Sequence, residues 1–258
     1  MDVTSRKDAI LDLLRVQDRV DVDQLAHHFE VSTQTIRSDL RDLAGAGLVA
    51  RTHGGARRVH SASNRDYNER RKLNAAEKEA LGKLAASLIP DGCSVTLNIG
   101  TTTEPVARAL NNHRDLVVLS NNINIVNLMM GAPDRELILV GGSVRQSDGA
   151  IVGDDAVEFI SRYKVDYAVI GASALDTDGA ILDYDGREVS VSRAILRNAR
   201  TRILVSDASK FDRTAPVRIC EVSDLDYVVT DQTPSAPFLA AARLGETEIV
   251  TPDAADAG

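Results

Sequence analysis

No apolar run in this 258-residue chain approaches the ~20 residues that a membrane-spanning helix needs. Its hydrophobic share of 43% is ordinary for a protein with packed cores, so a membrane partner is not expected. Cysteine is nearly absent. Cys93 and Cys220 stand far apart without the clustered spacing of a metal site, and two cysteines cannot build a disulfide framework. Two buried thiols in a reducing cytosol are expected, with no metal and no cofactor. The opening MDVTSRKDAILDLL alternates charged with apolar residues and lacks the character of a signal or transit peptide, which also favours a cytoplasmic protein. A basic excess is missing as well. The formal net charge of −8 excludes indiscriminate nucleic-acid binding and confines any contact with DNA to a local patch. The length leaves room for a small domain and a larger one, each with its own core.

A local patch is present. Residues 31–58 carry Arg37, Arg41, Arg51, Arg57 and Arg58 against only Asp39 and Asp42, although residues 1–58 as a whole are neutral. Within it, VSTQTIRSDLRDL (31–43) places Ser32 where a helix N-cap is wanted, with Ile36, Leu40 and Leu43 at helical spacing behind it. At about 100° per residue, Gln34, Arg37, Ser38 and Arg41 share one arc. Thr35, Asp39 and Asp42 fall on another, read as an acidic flank kept clear of the basic face. A helix entering the major groove needs that division, because phosphate oxygens and base edges repel carboxylates. The sorting alone also fits an ordinary solvated helix, so its surroundings decide.

Residues 6–16 form a first helix, with Ala9, Ile10, Leu13 and Leu14 inward. Val20 to Phe29 form a second, capped by Asp21, and Glu30-Val31-Ser32 turns into the basic helix. Two short helices, a tight turn and a basic second helix make a helix-turn-helix. Leu48–Arg51 and Ala56–Val59 read as strands joined by His53-Gly54-Gly55. This hairpin is a wing whose Arg51, His53, Arg57 and Arg58 suit backbone phosphates or the minor groove. With Ser32, Thr33, Gln34, Thr35, Arg37, Ser38 and Arg41 they are the candidate DNA-contacting residues. Residues 6–56, with LAHHFEVSTQTIRSDLRDLAGAGLVARTHGGA at their centre, resemble the N-terminal signature of the DeoR family of bacterial transcriptional regulators. The family pattern has arginine where this chain has Ser38, which gives up a cation but can still hydrogen-bond phosphate.

Residues 61–74, SASNRDYNERRKLN, are polar and strongly charged and read as a linker, which places the first domain at 1–60. A second domain spans 75–251, and the small, acidic tail 252–258 is expected to be disordered. After a helix at 75–89, strands are predicted at 94–99, 116–120, 136–140, 167–171, 202–206 and 227–230. Helices at 104–110, 123–130, 154–161 and 186–198 alternate with most of them. This pattern gives an α/β domain with a mostly parallel sheet, whose ligands bind at the carboxyl ends of the strands.

Those ends carry Gly100-Thr101-Thr102-Thr103, a loop opening into a helix whose amides and hydroxyls suit a phosphate. They also carry Asn121-Asn122, Gly141-Gly142 with Arg145, and Lys210. The second domain resembles the sensor domain of the same family, whose fold is similar to ribose-5-phosphate isomerase and glucosamine-6-phosphate deaminase. IGTTTEPVARAL, SNNINIVNLM, DGAIVGDDAVEFIS, GAILDYDGREVSVSRAI and DASKF carry the likeness. It implies a small phosphorylated effector, glycerol 3-phosphate or another sugar phosphate, held by Gly100, Thr101, Thr102 and Thr103. Asn98, Asn121, Asn122, Gly141, Gly142, Arg145 and Lys210 are the further candidate contacts. Asn98 stands where the family commonly has aspartate.

An isomerase or deaminase is the competing reading. It needs a carboxylate base and a group to polarise oxygen. Gly171-Ala172 is followed by Ser173-Ala174-Leu175, so the acidic pair expected there in isomerases of this fold is missing. Asp176, Asp178, Asp183, Asp185 and Glu188 remain, and those flanking Gly179 and Gly186 are more simply turn formers. The expectation is therefore a repressor without catalytic residues. It would act as a homo-oligomer, dimer or tetramer, on operator DNA and be released by the phosphate ester.

Overall fold

The chain divides into two units, Met1–Asn64 and Arg65–Gly258. The computed structural model describes residues 3–16, 19–45, 49–52, 54–58 and 67–252. The first unit comprises α1 (Val3–Val16), β1 (Arg19–Asp21), α2 (Val22–His28), α3 (Thr33–Gly45), β2 (Val49–Thr52) and β3 (Gly55–Arg58). Ile10 and Leu14 of α1, Leu25 of α2, and Ile36, Leu40 and Leu43 of α3 close one core with Val20, Val49 and Ala56. α3 starts at its predicted cap. The Ser32 hydroxyl accepts from the Thr35 amide at 3.1 Å, satisfying a donor that the first helical turn leaves open.

Two expectations change here. The second helix begins at Val22 and not Val20, because Arg19–Asp21 pairs with β3 and converts the two-stranded wing into a three-stranded sheet of order β1-β3-β2. That pairing requires glycine at 55, where a Cβ would lie 2.1 Å from the Val20 carbonyl oxygen. The acidic flank of α3 is kept clear of the basic face as expected, but its two carboxylates are paired, one inside and one at the surface. Asp39 is buried and accepts from the Arg6 guanidinium at 2.7 and 3.3 Å, while Asp42 pairs with Lys7 at 2.7 Å at the surface. Both carboxylates thus fasten the basic helix to α1. His53 lies outside the described residues.

The second unit runs α4 (Tyr67–Lys72), α5 (Ala75–Ser87), β4 (Ser94–Leu97), α6 (Thr103–Ala109), β5 (Leu116–Ser120), α7 (Ile123–Met129) and β6 (Arg135–Leu139). It continues through β7 (Val144–Arg145), β8 (Ala150–Ile151), α8 (Asp154–Ile160), β9 (Val165–Ile170), β10 (Ala174–Leu175) and β11 (Ala180–Asp183). It ends with α9 (Gly186–Arg197), β12 (Ala199–Val205), β13 (Val217–Glu221), β14 (Tyr227–Val229), α10 (Ala236–Leu244) and β15 (Glu248–Val250). Seven strands form one parallel sheet in the order β15-β14-β12-β9-β4-β5-β6. Side chains alternate faces along a strand, and the core divides accordingly. Ala168, Ile170, Leu204 and Val228 pack with Ile160, Ile195 and Phe238 of α8, α9 and α10. Val169, Ile203, Val205 and Val229 pack with Leu81, Val106 and Ile125 of α5, α6 and α7.

All six predicted strands and four alternating helices are present, within a few residues of their expected bounds. The sheet has a seventh strand, β15, and an antiparallel sheet β10-β11-β13 and a hairpin β7-β8 lie beside it. Residues 61–74 do not all form a linker. Tyr67–Lys72 are α4, whose Tyr67 and Arg71 both bond the buried Glu104, so charge that reads as solvated finds an interior partner. The expected linker residues 61–66 and the tail 253–258 lie outside the described residues.

Asp39→Ala removes the carboxylate that neutralises the buried Arg6, a loss of about 3–5 kcal/mol. Amide exchange across residues 33–45 of the full chain should accelerate strongly in that variant, whereas Asp42→Ala should leave it nearly unchanged. Equal, small effects would contradict the distinction between the two pairs.

Candidate functional site

α3 presents Ser32, Thr33, Gln34, Arg37, Ser38 and Arg41 to solvent, with Thr35 half-buried beneath them and bonded to Ser32. No acidic residue shares that exposed arc, since Asp39 is inside and Asp42 is held by Lys7. β2 carries Arg51, and β3 carries Arg57 and Arg58. The first unit therefore joins a basic, hydrogen-bonding helix surface to arginine-bearing strands, the chemistry of a groove-reading module.

In the second unit, strand order reverses between β4 and β9. The chain proceeds β4-β5-β6 in one direction and β9-β12-β14-β15 in the other. Connections leave such neighbours in opposite directions and open a crevice at their carboxyl ends. A pocket lies there, lined by Asn98 to Thr102 after β4 and by Gly171 to Ser173 after β9. Asn122 after β5, Lys210 after β12, and Asp183 and Glu188 from β11 and α9 also line it.

Its floor is built from amides. Asn98 donates to the Ser192 hydroxyl at 2.8 Å, a bond that the aspartate usual in the family could not donate. Asn98 and Asn121 both accept from the Ile99 amide, at 2.8 and 3.1 Å, and Asn121 donates to the Ile151 carbonyl at 3.1 Å. The Thr103 hydroxyl donates to the Asn98 and Gly100 carbonyls, so Thr103 is a strut of the loop. Gly100 has φ +152°, which favours glycine and turns the loop over the strand end.

Of the eleven expected effector contacts, Asn98, Gly100, Thr101, Thr102, Asn122 and Lys210 line the pocket. Thr103 and Asn121 support it from behind. Gly141 and Gly142 do not line it, because they follow the edge strand β6, two strands from the reversal. Arg145 does not line it either. Its guanidinium is occupied by Asp148, Asp185 and Glu188, and those charge-assisted bonds raise its pKa further.

Nothing in the sequence pointed to Tyr67, Arg70, Asp148 and Ser192, and Asp183 and Glu188 stood there only as acids left over for an enzyme; all six line the pocket. Asp185 and Asp178 are turn formers as expected, capping α9 and the turn before β11. Asp183 and Glu188 are not. Burial raises the Asp183 carboxyl above its ordinary range, although the Ser173 hydroxyl donates to it at 2.9 Å. Burial, then the charge of Asp183, pushes Glu188 up to about 7 against the pull of Arg145. Burial lowers Lys210 to about 8. Among the described residues, the Lys210 ammonium makes no hydrogen bond or ion pair, although the Asp207 carboxylate nearby attracts it. The two thiols, Cys93 and Cys220, are free and half-buried, and burial raises them to about 11 and 12.

Residues 6–62 match the DeoR-like helix-turn-helix domain, and residues 73–232 match the DeoR C terminal sensor domain. The glycerol-3-phosphate regulon repressor of Escherichia coli (strain K12) is 41% identical over 91% of this chain and 93% of its own. The HTH-type transcriptional repressor CsqR of the same organism is 34% identical over 96% of this chain and 95% of its own. A ribose 5-phosphate isomerase A from Methanocaldococcus jannaschii shares 20% identity, covering 54% of this chain and 55% of its own at a TM-score of 0.40. The chain belongs to the DeoR family. Both Escherichia coli relatives are repressors. Among the described residues, no helix is long and apolar enough to cross a membrane, and no cluster of metal-ligating side chains is found.

As pH falls from above 8 to below 7, Lys210 gains a proton and then Glu188 loses its charge, so the pocket becomes more positive. Sulfate, whose charge is constant over this range, should therefore bind more tightly toward the acid end in calorimetric titrations. Glu188→Gln should remove the lower part of that rise. A flat profile in the unaltered protein would contradict the assignment.

Proposed function

We propose that this chain is a DNA-binding repressor of glycerol 3-phosphate catabolism that leaves its operator when glycerol 3-phosphate occupies the strand-end pocket. The observation that carries the ligand half is Lys210, whose ammonium forms no ion pair among the described residues, in a pocket it shares with the Gly100–Thr102 loop. Enclosed charge is costly unless paired, and a phosphate ester supplies the missing anion. Asn98, Asn122 and Ser192, with the carboxylates of Asp183 and Glu188, offer acceptors and donors for the hydroxyls of a short polyol. The identity over nearly the whole chain with the glycerol-3-phosphate regulon repressor supports this effector over other sugar phosphates.

On the DNA side, Gln34, Arg37, Ser38 and Arg41 of α3 read the major groove, with Ser32 and Thr33 at its N-terminus on phosphate. Arg51, His53, Arg57 and Arg58 of the wing hold the flanking backbone. One helix-turn-helix reads few base pairs, so a dimer or tetramer binds repeated half-sites. Glycerol 3-phosphate releases the operator if it binds the DNA-incompetent arrangement more tightly.

The test is fluorescence anisotropy on DNA from upstream of the protein's own gene, at fixed salt because salt alone moves such affinities. Release by glycerol 3-phosphate, and not by glycerol, fructose 1-phosphate or inorganic phosphate, is expected. Release by another phosphate would move the protein to a different pathway, such as fructose or deoxyribonucleoside catabolism. Binding that no phosphate alters would contradict the sensor role and call for a turnover assay. Arg37→Ala should weaken operator binding by about 1–3 kcal/mol with the fold intact. Lys210→Ala should bind operator normally but respond poorly to the effector, and an unchanged response would remove Lys210 from the site.

A further inference from the structure

The helix α4 has no buried residue of its own, and at six residues it is too short to persist through helical propensity. A few polar bonds hold it in place. The Tyr67 hydroxyl donates to the buried Glu104 carboxylate and accepts from the Asn124 side-chain amide at 2.9 Å. Arg71 reaches the same carboxylate at 3.2 Å. The buried Lys78 ammonium donates to the Arg70 carbonyl at 2.6 Å and to the Thr101 hydroxyl at 3.3 Å, tying α4 to the loop after β4. On the other side, Asn74 adopts left-handed φ +53° and donates to Asp207 at 2.9 Å. Asp207 in turn caps the short turn that carries Lys210.

These contacts connect α4 and the residues that follow it to the strand ends after β4 and β12, and Tyr67 and Arg70 form part of the pocket wall. The same geometry gathers Arg70, Lys78 and Lys210. Both lysines hold their protons less tightly than usual, through burial first; the Asp207 carboxylate opposes the shift in both, and repulsion from the charge of Arg70 adds to it. A dianion placed among them removes that repulsion and attracts Arg70, so it favours the arrangement in which α4 is seated. In sequence, α4 follows residues 59–66, which join it to the DNA-binding unit.

We propose that α4 is the movable wall of the pocket: an anionic effector clamps it through Arg70 and Lys78. The proposal rests on the effector reading above and adds the residues that respond to occupancy.

Amide hydrogen exchange on the full-length protein, with and without glycerol 3-phosphate and with glycerol as control, tests it directly. A ligand that binds only the seated form slows opening roughly tenfold at about ten times its Kd, so residues 70–74 should be protected to that degree. Lys78→Met, which severs both of its bonds, should abolish the protection. Arg70→Met, on a helix that contributes nothing to the core, gives the same test should Lys78→Met fail to fold. Protection confined to residues 98–103 and 207–211 would overturn the proposal while leaving the effector pocket standing. Glycerol 3-phosphate that neither binds nor protects any segment would remove both.

Discussion

A parallel sheet buried on both faces leaves its strand ends as the place where polar chemistry meets solvent, and the second unit follows from that constraint. Hydrophobic residues occupy both faces of β9 and β12, and β4 turns Val95 and Leu97 to one face and the buried Thr96 to the other, so chain direction and strand order determine which polar groups meet. Because the order reverses between β4 and β9, the loops that follow them part and leave a crevice. Asn98 and Asn121 then share the Ile99 amide, and this buried hydrogen bonding fixes the Gly100–Thr102 loop on the crevice floor. Leaving such amides unpaired would cost more than each bond contributes, which gives the floor a single arrangement.

The charges of the crevice are arranged to discriminate. Arg145 pairs with Asp148 and Glu188, and Lys210 and Arg70 also line the wall. The two enclosed acids do not make this an isomerase: Asp183 is held by Ser173 and the Tyr184 amide, and Glu188 by Arg145. In the first unit, burial of Asp39 against Arg6 serves a comparable end, since it removes from the exposed face of α3 a carboxylate that would repel DNA.

Much of this was legible in the sequence. Ser32 announced its helix, Ile36, Leu40 and Leu43 gave its inner face, and six apolar runs gave six of the seven parallel strands. Strand-end position found Lys210 and the Gly100 loop because the carboxyl end of a strand is readable from its direction alone. What was not legible depended on strand order and on partners distant in sequence. Gly141, Gly142 and Arg145 follow a strand end as well as Lys210 does, but β6 is at the edge of the sheet and Arg145 is occupied by three carboxylates. Glu188 and Asp183 resembled turn formers until β11 and α9 placed them in the crevice. Tyr67 and Arg70 stood in a stretch that composition assigned to a linker. A Ser-Asn-Arg-Asp-Tyr sequence gives no sign that its tyrosine meets a glutamate 37 positions away.

A pocket and an operator that compete for arrangements of one protein are tied by binding linkage, which makes the competition measurable. Whatever factor glycerol 3-phosphate takes from operator affinity, the operator must take from glycerol 3-phosphate affinity. The decisive measurement is calorimetric titration of the full-length protein with glycerol 3-phosphate, free and saturated with operator DNA. The account predicts that saturation weakens the effector by about 5–150-fold, the usual range of allosteric coupling. Equal affinity in the two titrations would contradict it.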